Sequence, residues 1–247
     1  MPVVYYGHSA VEIRSRDGST RIFIDPWLKN NPSCPENLKD QNKIDLICLT
    51  HGHSDHTEDA VSLSKKTGAK IAAIWDLCDL LVNEGIEEDN LIRLNIGGSF
   101  KFNDFTITMT QAIHSSSFKT SSGDTKYAGL AAGFIVRTPS NIAIYHAGDT
   151  SLFSDLKLIG ELYKPDIALL PCGDRVTMGS KEAGLAAQFL KAKFIIPIHY
   201  KTFSILDQNP EVELEKLLKD GQHLIALKPG EEFSVKSWEA EQFQKEI

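Results

Sequence analysis

The pattern HGHSDH begins at His51, directly after an apolar segment, Ile44–Thr50, that predicts a strand. Neutral imidazole is the commonest metal ligand near neutral pH. His51 and His53 lie two residues apart, so both can reach one ion, whereas Asp55 and His56, at the start of the next predicted helix, can reach a second. The cluster therefore predicts a metal site at the end of a strand.

Three further candidate ligands stand where other predicted strands give way to loops. They are His114, Asp149 and His199. Loops at strand ends are where α/β proteins usually build their sites. A lone histidine at such a position is usually an ordinary polar residue, but three candidates together with the dense cluster favour metal binding. A catalytic zinc site takes about four ligands with one position left open for water, which this set can provide.

Strands and helices alternate along the chain in two halves, roughly 1–125 and 126–247. The predicted strands are Val3–Tyr6, Val11–Arg14, Arg21–Asp25, Ile44–Thr50, Lys70–Ile74, Ser99–Phe102, Phe105–His114, Gly133–Arg137, Ile142–His146, Ile167–Leu170, Phe194–Ile198 and Leu224–Leu227. The predicted helices are Asp59–Lys66, Leu77–Asn83, Ser151–Tyr163, Lys181–Lys191 and Glu211–Asp220, with a loosely docked helix in the tail Trp238–Ile247. Ser115–Lys126 is polar and predicts a loop.

Each half mixes a β-meander with βα units. This arrangement favours a single domain, 1–247, in which two sheets pack face to face with helices outside, the four-layer αββα sandwich. The rules for packing layers permit this architecture without singling it out.

Composition excludes some classes of function. The formal net charge is −7 and no basic block occurs, so a stable nucleic-acid partner is disfavoured. The four cysteines show no CxxC pairing, and Cys48 and Cys172 stand in apolar runs typical of a core. No signal peptide is evident, and no apolar run is long enough to insert into a membrane. We therefore expect a cytoplasmic protein that acts on a small molecule.

The HGHSDH pattern matches the HxHxDH signature of the metallo-β-lactamase superfamily, and the order of the later candidates also resembles that family. The resemblance covers nearly the whole chain. It implies the αββα sandwich, with the site in a cleft at one edge. It also implies a ligand set, in which His51, His53 and His114 hold a first ion, Asp55, His56 and His199 hold a second, and Asp149 bridges them.

Other segments resemble one branch of that superfamily. They are Tyr6–Ser9, Ile24–Trp27, Pro171–Asp174 and Thr177–Gly179. The branch contains small metal-dependent hydrolases related to ascorbate-phosphate lactonases and N-acyl-phosphatidylethanolamine phospholipases. The chain is too short for the extra domain of the β-CASP nucleases, and it lacks a glycine-rich arm like that of the tRNA 3′-processing enzymes.

These observations predict a metal-dependent hydrolase. Two divalent ions, Zn²⁺ first and Mn²⁺, Fe or Ni²⁺ as alternatives, would share a bridging hydroxide that attacks an ester, lactone or phosphodiester bond of a small anionic substrate. Asp55 would hold the second ion, orient the hydroxide and return a proton to the leaving group. His8 is interpreted as a substrate contact or proton donor, or else as an exposed turn residue beside Gly7.

Several other polar residues have two interpretations each. Asp25 either orients a metal-bound histidine or forms a turn. Asp174 and Thr177 either line the cleft or cap the following helix. Lys201 either binds a substrate anion or is solvated.

Further residues are equally open. Trp27 either forms an apolar wall of the cleft or packs in the core, and His146 is either an outer neighbour of the metal or a core histidine. His223 is expected at the surface.

Two alternatives from other classes use the same ligands. An iron-dependent redox protein is one, although the chain lacks room for a flavodoxin partner domain and a phosphate-binding glycine loop for a flavin. A structural, non-catalytic metal site is the other, but such sites are closed by four ligands, whereas this set suggests open positions. Relatives suggest a homo-oligomer, yet no segment demands one.

Overall fold

The computed structural model describes residues 1–245, and its strands are numbered β1–β16 in chain order. The first eight are β1 (Val3–Gly7), β2 (Ala10–Arg14), β3 (Arg21–Ile24), β4 (Leu46–Cys48), β5 (Lys70–Ile74), β6 (Leu91–Leu94), β7 (Ser99–Phe102) and β8 (Phe105–Gln111). The others are β9 (Ser117–Lys119), β10 (Thr125–Tyr127), β11 (Ala132–Arg137), β12 (Ala143–His146), β13 (Ile167–Pro171), β14 (Phe194–Ile198), β15 (His223–Leu224) and β16 (Glu232–Phe233).

Seven α-helices accompany the strands within this range. They are α1 (Ser54–Thr57), α2 (Ala60–Thr67), α3 (Trp75–Asn83), α4 (Leu156–Tyr163), α5 (Ser180–Leu190), α6 (Pro210–Leu217) and α7 (Val235–Lys245). Two short 3₁₀ turns, Glu36–Leu38 and Glu88–Asn90, complete the elements.

The strands form two seven-stranded sheets and one small hairpin. The first sheet has the order β16-β1-β2-β3-β4-β5-β6, and the second has the order β15-β14-β13-β12-β11-β8-β7. Each sheet has three antiparallel pairs on one side and three parallel pairs on the other, with the change at β3 in the first and at β12 in the second. The ends of the parallel strands therefore gather at one edge of each sheet, where loops can meet.

The two sheets share the same pair of hydrogen bonds near the strand where the pairing changes from antiparallel to parallel. The backbone N–H of Asp45 donates to Arg21 O at 3.0 Å, and Arg21 N–H donates to the Asp45 carboxylate at 2.8 Å. In the second sheet Asp166 N–H donates to Ala143 O at 2.8 Å, and Ala143 N–H donates to the Asp166 carboxylate at 2.8 Å. Each aspartate thus sets the register between an antiparallel strand and its parallel neighbour.

The main core lies between the sheets. Phe23 and Ile47 of the first sheet and Phe134 and Phe194 of the second are fully buried in one hydrophobic cluster. Alternate residues of the second sheet point the other way, as the two-residue period of a strand requires. Ile135 therefore belongs to a second cluster, formed with the helices that follow β12.

Helices cover the outer faces of both sheets. α2 and α3 pack on β5, and α5 packs on β13 with α4 and α6 beside it. The predicted αββα sandwich is confirmed. The hairpin turn at Asn103 and Asp104 also forms, since Phe102 pairs directly with Phe105.

Some predicted elements are wrong or displaced. The segment Ser115–Lys126, predicted as a loop, contains β9 and the first residues of β10, which pair only with each other. β10 is wholly exposed, so its sequence lacks the alternation of apolar residues that would predict a strand. The helix predicted from Ser151 begins only at Leu156, because the Ser151 N–H donates to Ile113 O and holds this part of the chain against another loop.

Some other strands and the C-terminal tail also differ from expectation. β6 and β16 were not predicted, and the last predicted strand is reduced to β15. A helix does form in the tail, but it begins at Val235 rather than Trp238. The last two residues of the predicted segment, 246 and 247, lie outside the described residues.

The four cysteines are free, buried thiols. Cys48 and Cys172 are fully buried in the two hydrophobic clusters, which confirms their prediction as core residues. Burial raises the pKa of Cys34 to about 11 and that of Cys78 to about 12. Within residues 1–245, no helix is long and apolar enough to cross a bilayer.

Gly160 allows α4 and α5, which lie on the second sheet, to approach each other closely. A Cβ placed on Gly160 of α4 would lie 2.7 Å from Phe189 O and 2.8 Å from Leu190 O. We expect Gly160→Ala to lower the free energy of unfolding by about 1–3 kcal/mol through overpacking. Urea unfolding tests this, with Leu158→Ala, an exposed position on the same helix, expected to change stability by less than about 0.5 kcal/mol. Equal stability of Gly160→Ala and the parent protein would contradict the close packing.

Candidate metal centre

The predicted ligands come together at the edge where the strand ends of the two sheets meet. The nitrogens of His51, His53 and His114 lie within 4.8 Å of one another. The ligand atoms of Asp55, His56 and His199 form a second group with the same spacing, joined there by His8. A third group, Asp25 with His51 and His56, connects the first two, so the assignment of each histidine to one ion stays a prediction.

Asp149 faces both groups. Its Oδ2 lies 3.7 Å from His114 Nε2 in the first group. The same oxygen lies 3.4 Å from His56 Nε2 and 3.0 Å from His199 Nε2 in the second. The carboxylate is almost fully buried at the turn after β12, so its position is set by the sheet. One oxygen placed among three imidazole nitrogens is the arrangement expected of a bridging ligand.

Several buried polar atoms of this cluster make no hydrogen bond with other described residues. They are His56 Nε2, Asp149 Oδ1 and both ring nitrogens of His199. His199 Nε2 and Asp149 Oδ2 are close but do not have hydrogen-bonding geometry. Buried polar groups without partners are rare and costly in native proteins. Divalent ions held by these nitrogens and oxygens would satisfy them, so the residues present fit a metal.

The tautomer of His51 follows from its neighbours. The Thr50 hydroxyl donates to Asp25 Oδ2 at 2.6 Å, so its oxygen accepts from His51 Nδ1–H at 3.0 Å. The lone pair of His51 is therefore on Nε2, which lies 3.0 Å from His53 Nδ1. Burial, with a smaller effect from the charge of His56, lowers the pKa of His51 well below its usual value. A neutral ring with a free Nε2 is suited to binding a cation.

Asp25 holds this part of the site together. Its Oδ1 accepts the backbone N–H of Thr50 at 2.8 Å, and its Oδ2 accepts from both the Thr50 hydroxyl and His56 Nδ1–H, the latter at 2.8 Å. His56 Nε2 is thereby left free and directed at Asp149. Burial alone would lower the pKa of His56, but Asp149 and Asp25 together raise it well above the usual value. A carboxylate that binds the far nitrogen of a histidine is typical of metal sites.

Three of these residues have a left-handed backbone. The φ angles are 56° at His8, 49° at Asp25 and 57° at His199. A non-glycine residue in this region is uncommon, and each costs of order 1 kcal/mol. Surrounding bonds hold the strained turns, since His199 N–H donates to His8 O at 2.7 Å. Strain concentrated at strand ends that carry the polar cluster is typical of functional sites.

His8 is fully buried, so the interpretation as an exposed turn residue is wrong. The Thr202 hydroxyl donates to Tyr200 O at 3.2 Å, so its oxygen accepts from His8 Nδ1–H at 2.9 Å. His8 Nε2 then faces Asp55 Oδ2 at 3.0 Å. Burial and the neighbouring His199 lower the pKa of His8 to about 4. A lone pair facing a carboxylate is repulsive, so this contact requires a proton or a cation between the two groups.

One side of the cluster is open to solvent. Asp55, His53 and His114 are partly exposed, whereas the other candidate ligands are buried. Burial alone would raise the pKa of Asp55, but the contact with His8 and the charge of His56 hold it below its usual range. Burial lowers the pKa of both His53 and His114. An approaching molecule therefore meets an ionised carboxylate and two neutral imidazoles.

The weaker candidates take varied positions. Asp174 is exposed in a tight turn in which Thr177 N–H donates to its carbonyl at 2.8 Å. The Thr177 hydroxyl donates to Met178 O at 3.4 Å. The Lys201 ammonium pairs with Glu211 and lies over the Tyr200 ring. None of these described contacts involves a predicted ligand, so the substrate roles of Asp174, Thr177 and Lys201 stay predictions.

His146 and His223 are explained by packing. His146 is buried at the end of β12, where its Nε2–H donates to Ser9 O at 3.0 Å and its Nδ1 accepts Gly148 N–H at 3.1 Å. It thus supports the turn that carries Asp149. His223 is only partly buried, with its ring 4.6 Å from that of Trp238.

Trp27 lies beside the second group of ligands. Its ring centroid is 5.3 Å from that of His8, and its indole N–H donates to Glu58 at 2.7 Å. The ring is almost fully buried, but it also contacts the partly exposed Phe203 at 5.8 Å. Trp27 is thus packed beside the ligands, as one interpretation expected, and its role as a wall of the cleft stays a prediction.

Sequence reasoning missed three residues of the site. Thr50 stands inside the recognised pattern, and a hydroxyl beside a candidate ligand was a usable signal. Thr202 and Phe203 follow His199 in a loop with no periodicity, and nothing in the sequence indicates that this loop folds back on His8.

Cavity volume alone would place the functional site in a different part of the molecule. A hollow of about 960 Å³ is lined by residues that include Arg14, Arg16 and Glu232, and none of the predicted site residues takes part. Donor chemistry is the better guide, because the metal-binding atoms, the unpartnered buried groups and the strained turns all coincide at the strand-end cluster.

Comparison with known proteins agrees with this geometry. The family model of the β-lactamase superfamily domain matches residues 20–200. A UPF0173 metal-dependent hydrolase of Rubrobacter xylanophilus is 42% identical over 233 residues, which cover 93% of this chain and 95% of that protein. One from Geobacillus sp. is 45% identical over 231 residues, covering 94% and 98%.

A solved structure is also similar over the whole length. It is Igni18, a metallo hydrolase of Ignicoccus hospitalis, with 34% identity and a TM-score of 0.80 over 94% of this chain and 98% of that one. The chain therefore belongs to the β-lactamase superfamily and, within it, to the UPF0173 family of metal-dependent hydrolases.

Proposed function

We propose that this metal-dependent hydrolase uses two divalent ions to cleave an ester, lactone or phosphodiester bond of a small molecule. The observation that carries the proposal is the Asp149 carboxylate, whose Oδ2 faces imidazole nitrogens of both ligand groups. A single-ion site does not need a buried carboxylate between two sets of histidines. Zn²⁺ is the first candidate, with Mn²⁺, Fe and Ni²⁺ also compatible with histidine and aspartate ligands.

The ligand sets follow the two groups. His51, His53 and His114 would hold one ion, and Asp55, His56 and His199 would hold the other, with Asp149 shared. When bound, the ions supply a water of lowered pKa as the nucleophile and polarise the substrate oxygen. No serine or cysteine nucleophile is then required, which is consistent with the burial of all four cysteines.

Asp55 and His8 would handle protons on the open side of the site. Asp55 is partly exposed and ionised, so it can accept a proton from the nucleophilic water and return it to the leaving group. His8 Nε2 contacts the same Asp55 oxygen at 3.0 Å, and Thr202 orients the ring from the far side. We assign to His8 the role of sharing the proton that Asp55 carries.

Asp25 would act as a positioning residue. Through Thr50 and directly, it determines which nitrogen of His51 and of His56 carries the proton. In both rings Nδ1–H is engaged, so Nε2 is the nitrogen directed at the cation, and metal binding requires that Nε2 of His56 be deprotonated.

The proposal is tested first by elemental analysis of protein purified without added metal, together with a hydrolysis panel. The panel contains a phosphodiester, a lactone and a thioester. We expect about two equivalents of Zn or Mn, and turnover of one class that is lost after chelation and restored by the ion. Predominant iron without hydrolysis would favour redox chemistry, and protein without any bound metal would contradict the proposal.

Removal of the Asp55 carboxylate tests its role in catalysis separately from any role in folding. Asp55→Ala is expected to lower kcat by about 10²–10⁴-fold while the far-UV spectrum and the unfolding midpoint stay close to the parent's. Asp155→Ala, an exposed aspartate at the start of α4, serves as the control and should keep full activity. An Asp55→Ala protein with normal turnover would refute the assigned role.

Asp25→Asn tests the positioning role. Asparagine tolerates the left-handed backbone at this position, so the turn is preserved while the charge that supports His56 is lost. We expect metal affinity to fall by about 10–100-fold, measured by competition with a chromophoric chelator. Asp166→Asn is the matched control, because its carboxylate accepts a backbone N–H at the opposite end of the second sheet. Equal affinity in both variants would show that Asp25 is only structural.

A further inference from the structure

Exposed apolar side chains gather around the candidate metal centre. Eleven large hydrophobic residues are exposed in the described part of the chain. Four of them are on α4, α5 and α6, and the other seven stand in loops or at the ends of strands and helices. Five of the seven, here called the apolar rim, occupy the loops that follow β8, β10, β13 and β14: Ile113, Leu130, Val176, Phe203 and Ile205.

Phe203 connects the apolar rim to the reactive groups. Its ring centroid lies 5.6 Å from that of His8, whose Nε2 contacts Asp55 at 3.0 Å. The Phe203 side chain is nevertheless 39% exposed. The His8 ring thus contacts both Phe203 and Asp55. A substituent that extends past His8 from a bond at Asp55 can reach Phe203.

The loop that carries Phe203 is held rigidly. Lys201 N–H donates to Asp207 O at 3.0 Å, and Leu206 N–H donates to Phe203 O at 3.1 Å. The ring itself rests on Trp27 at 5.8 Å, and Trp27 is anchored by its bond to Glu58. Phe203 is thus presented to solvent by a supported aromatic pair. An aromatic face kept exposed in this way is suited to binding an apolar group.

The opposite side of the apolar rim is also tied to the ligands. Ile113 directly precedes His114, and its N–H and carbonyl bond to Thr150 and Ser151 at 3.0 Å each. These two residues follow Asp149 in the sequence. Ile113 and Phe203 are therefore attached to the loops of the two ligand groups, so the apolar surface borders both.

We propose that the apolar rim binds an apolar acyl or aryl substituent next to the scissile bond, so that the substrate is amphipathic. This inference rests on the proposed hydrolase function, and it narrows the substrate class. The metal-binding cluster would take the polar bond, and Phe203 with Ile205 would take the apolar substituent. Burial of such a group against aromatic and aliphatic side chains is favourable in proportion to the area removed from water.

The test uses two carboxylates that differ only in their apolar chain. Acetate and octanoate are titrated into the metal-loaded protein by calorimetry, below the concentration at which octanoate self-associates. We expect octanoate to bind at least about tenfold more tightly than acetate, because its chain covers the apolar rim. Phe203→Ala should reduce the ratio of octanoate affinity to acetate affinity to near one, and Phe203→Leu should keep most of it. Leu162→Ala, 72% exposed on α4, is the matched control and should keep the full ratio.

Other outcomes overturn the inference. An unchanged ratio in Phe203→Ala, confirmed with Ile205→Ala, would show that the apolar rim does not contact the ligand. Equal weakening of acetate and octanoate would mean that Phe203 only supports His8. A wild-type dimer that Ile205→Asp converts to a monomer in sedimentation would show that a second copy covers this surface instead.

The binding ratio also separates this inference from the proposed function. A retained ratio with no hydrolysis of any ester or phosphodiester would refute the hydrolase assignment alone. Hydrolysis together with equal affinity for acetate and octanoate would refute the apolar subsite alone.

Discussion

The buried carboxylate of Asp25 is the constraint on which the metal centre depends. Its two oxygens accept the Thr50 amide, the Thr50 hydroxyl and His56 Nδ1–H. Because the Thr50 hydroxyl proton is engaged there, His51 must donate from its own Nδ1 to the same hydroxyl. One carboxylate therefore sets the tautomers of two histidines on different elements. An unpaired carboxylate at this depth would be strongly destabilising, so the three donors and the acceptor stabilise one another.

The repeated architecture of the two sheets explains why a second carboxylate stands opposite the first. Asp25 follows β3 and Asp149 follows β12, the strands at which each sheet changes from antiparallel to parallel pairing. Loops at the ends of such strands are where α/β proteins commonly place functional residues. His56 lies between the two, with Nδ1 at 2.8 Å from Asp25 and Nε2 at 3.4 Å from Asp149. The sandwich thus delivers one carboxylate to each side of the same ring.

Much of this arrangement could be predicted from the sequence, because local chemistry and strand ends carry strong signals. The HGHSDH cluster and the strand-end positions of Asp149 and His199 identified residues that the fold brings within a few ångströms of one another. Apolar runs located most strands of the parallel parts, where both faces are buried.

What sequence reasoning missed depends on tertiary structure. The exposed hairpin of β9 and β10 has no buried face and so no apolar period. The depth of His8 could not be foreseen either, because it follows from a bond between residues 191 positions apart, His8 O and His199 N. The aromatic support of Phe203 by Trp27 depends likewise on loops that meet only in the folded chain. Local pattern therefore identified the candidate ligands, while the proposed apolar rim depends on the three-dimensional fold.

Several features that are unfavourable on their own coincide in one place. Imidazole nitrogens of His56 and His199 are buried without partners, the His8 lone pair faces Asp55, and strand ends adopt left-handed turns. These features persist because two large apolar clusters and the sheet ladders stabilise the surrounding structure. A cation that binds this folded arrangement more tightly than the unfolded chain adds stability by mass action. The same buried groups that would be costly without partners are the ones whose nitrogens and oxygens fit a cation.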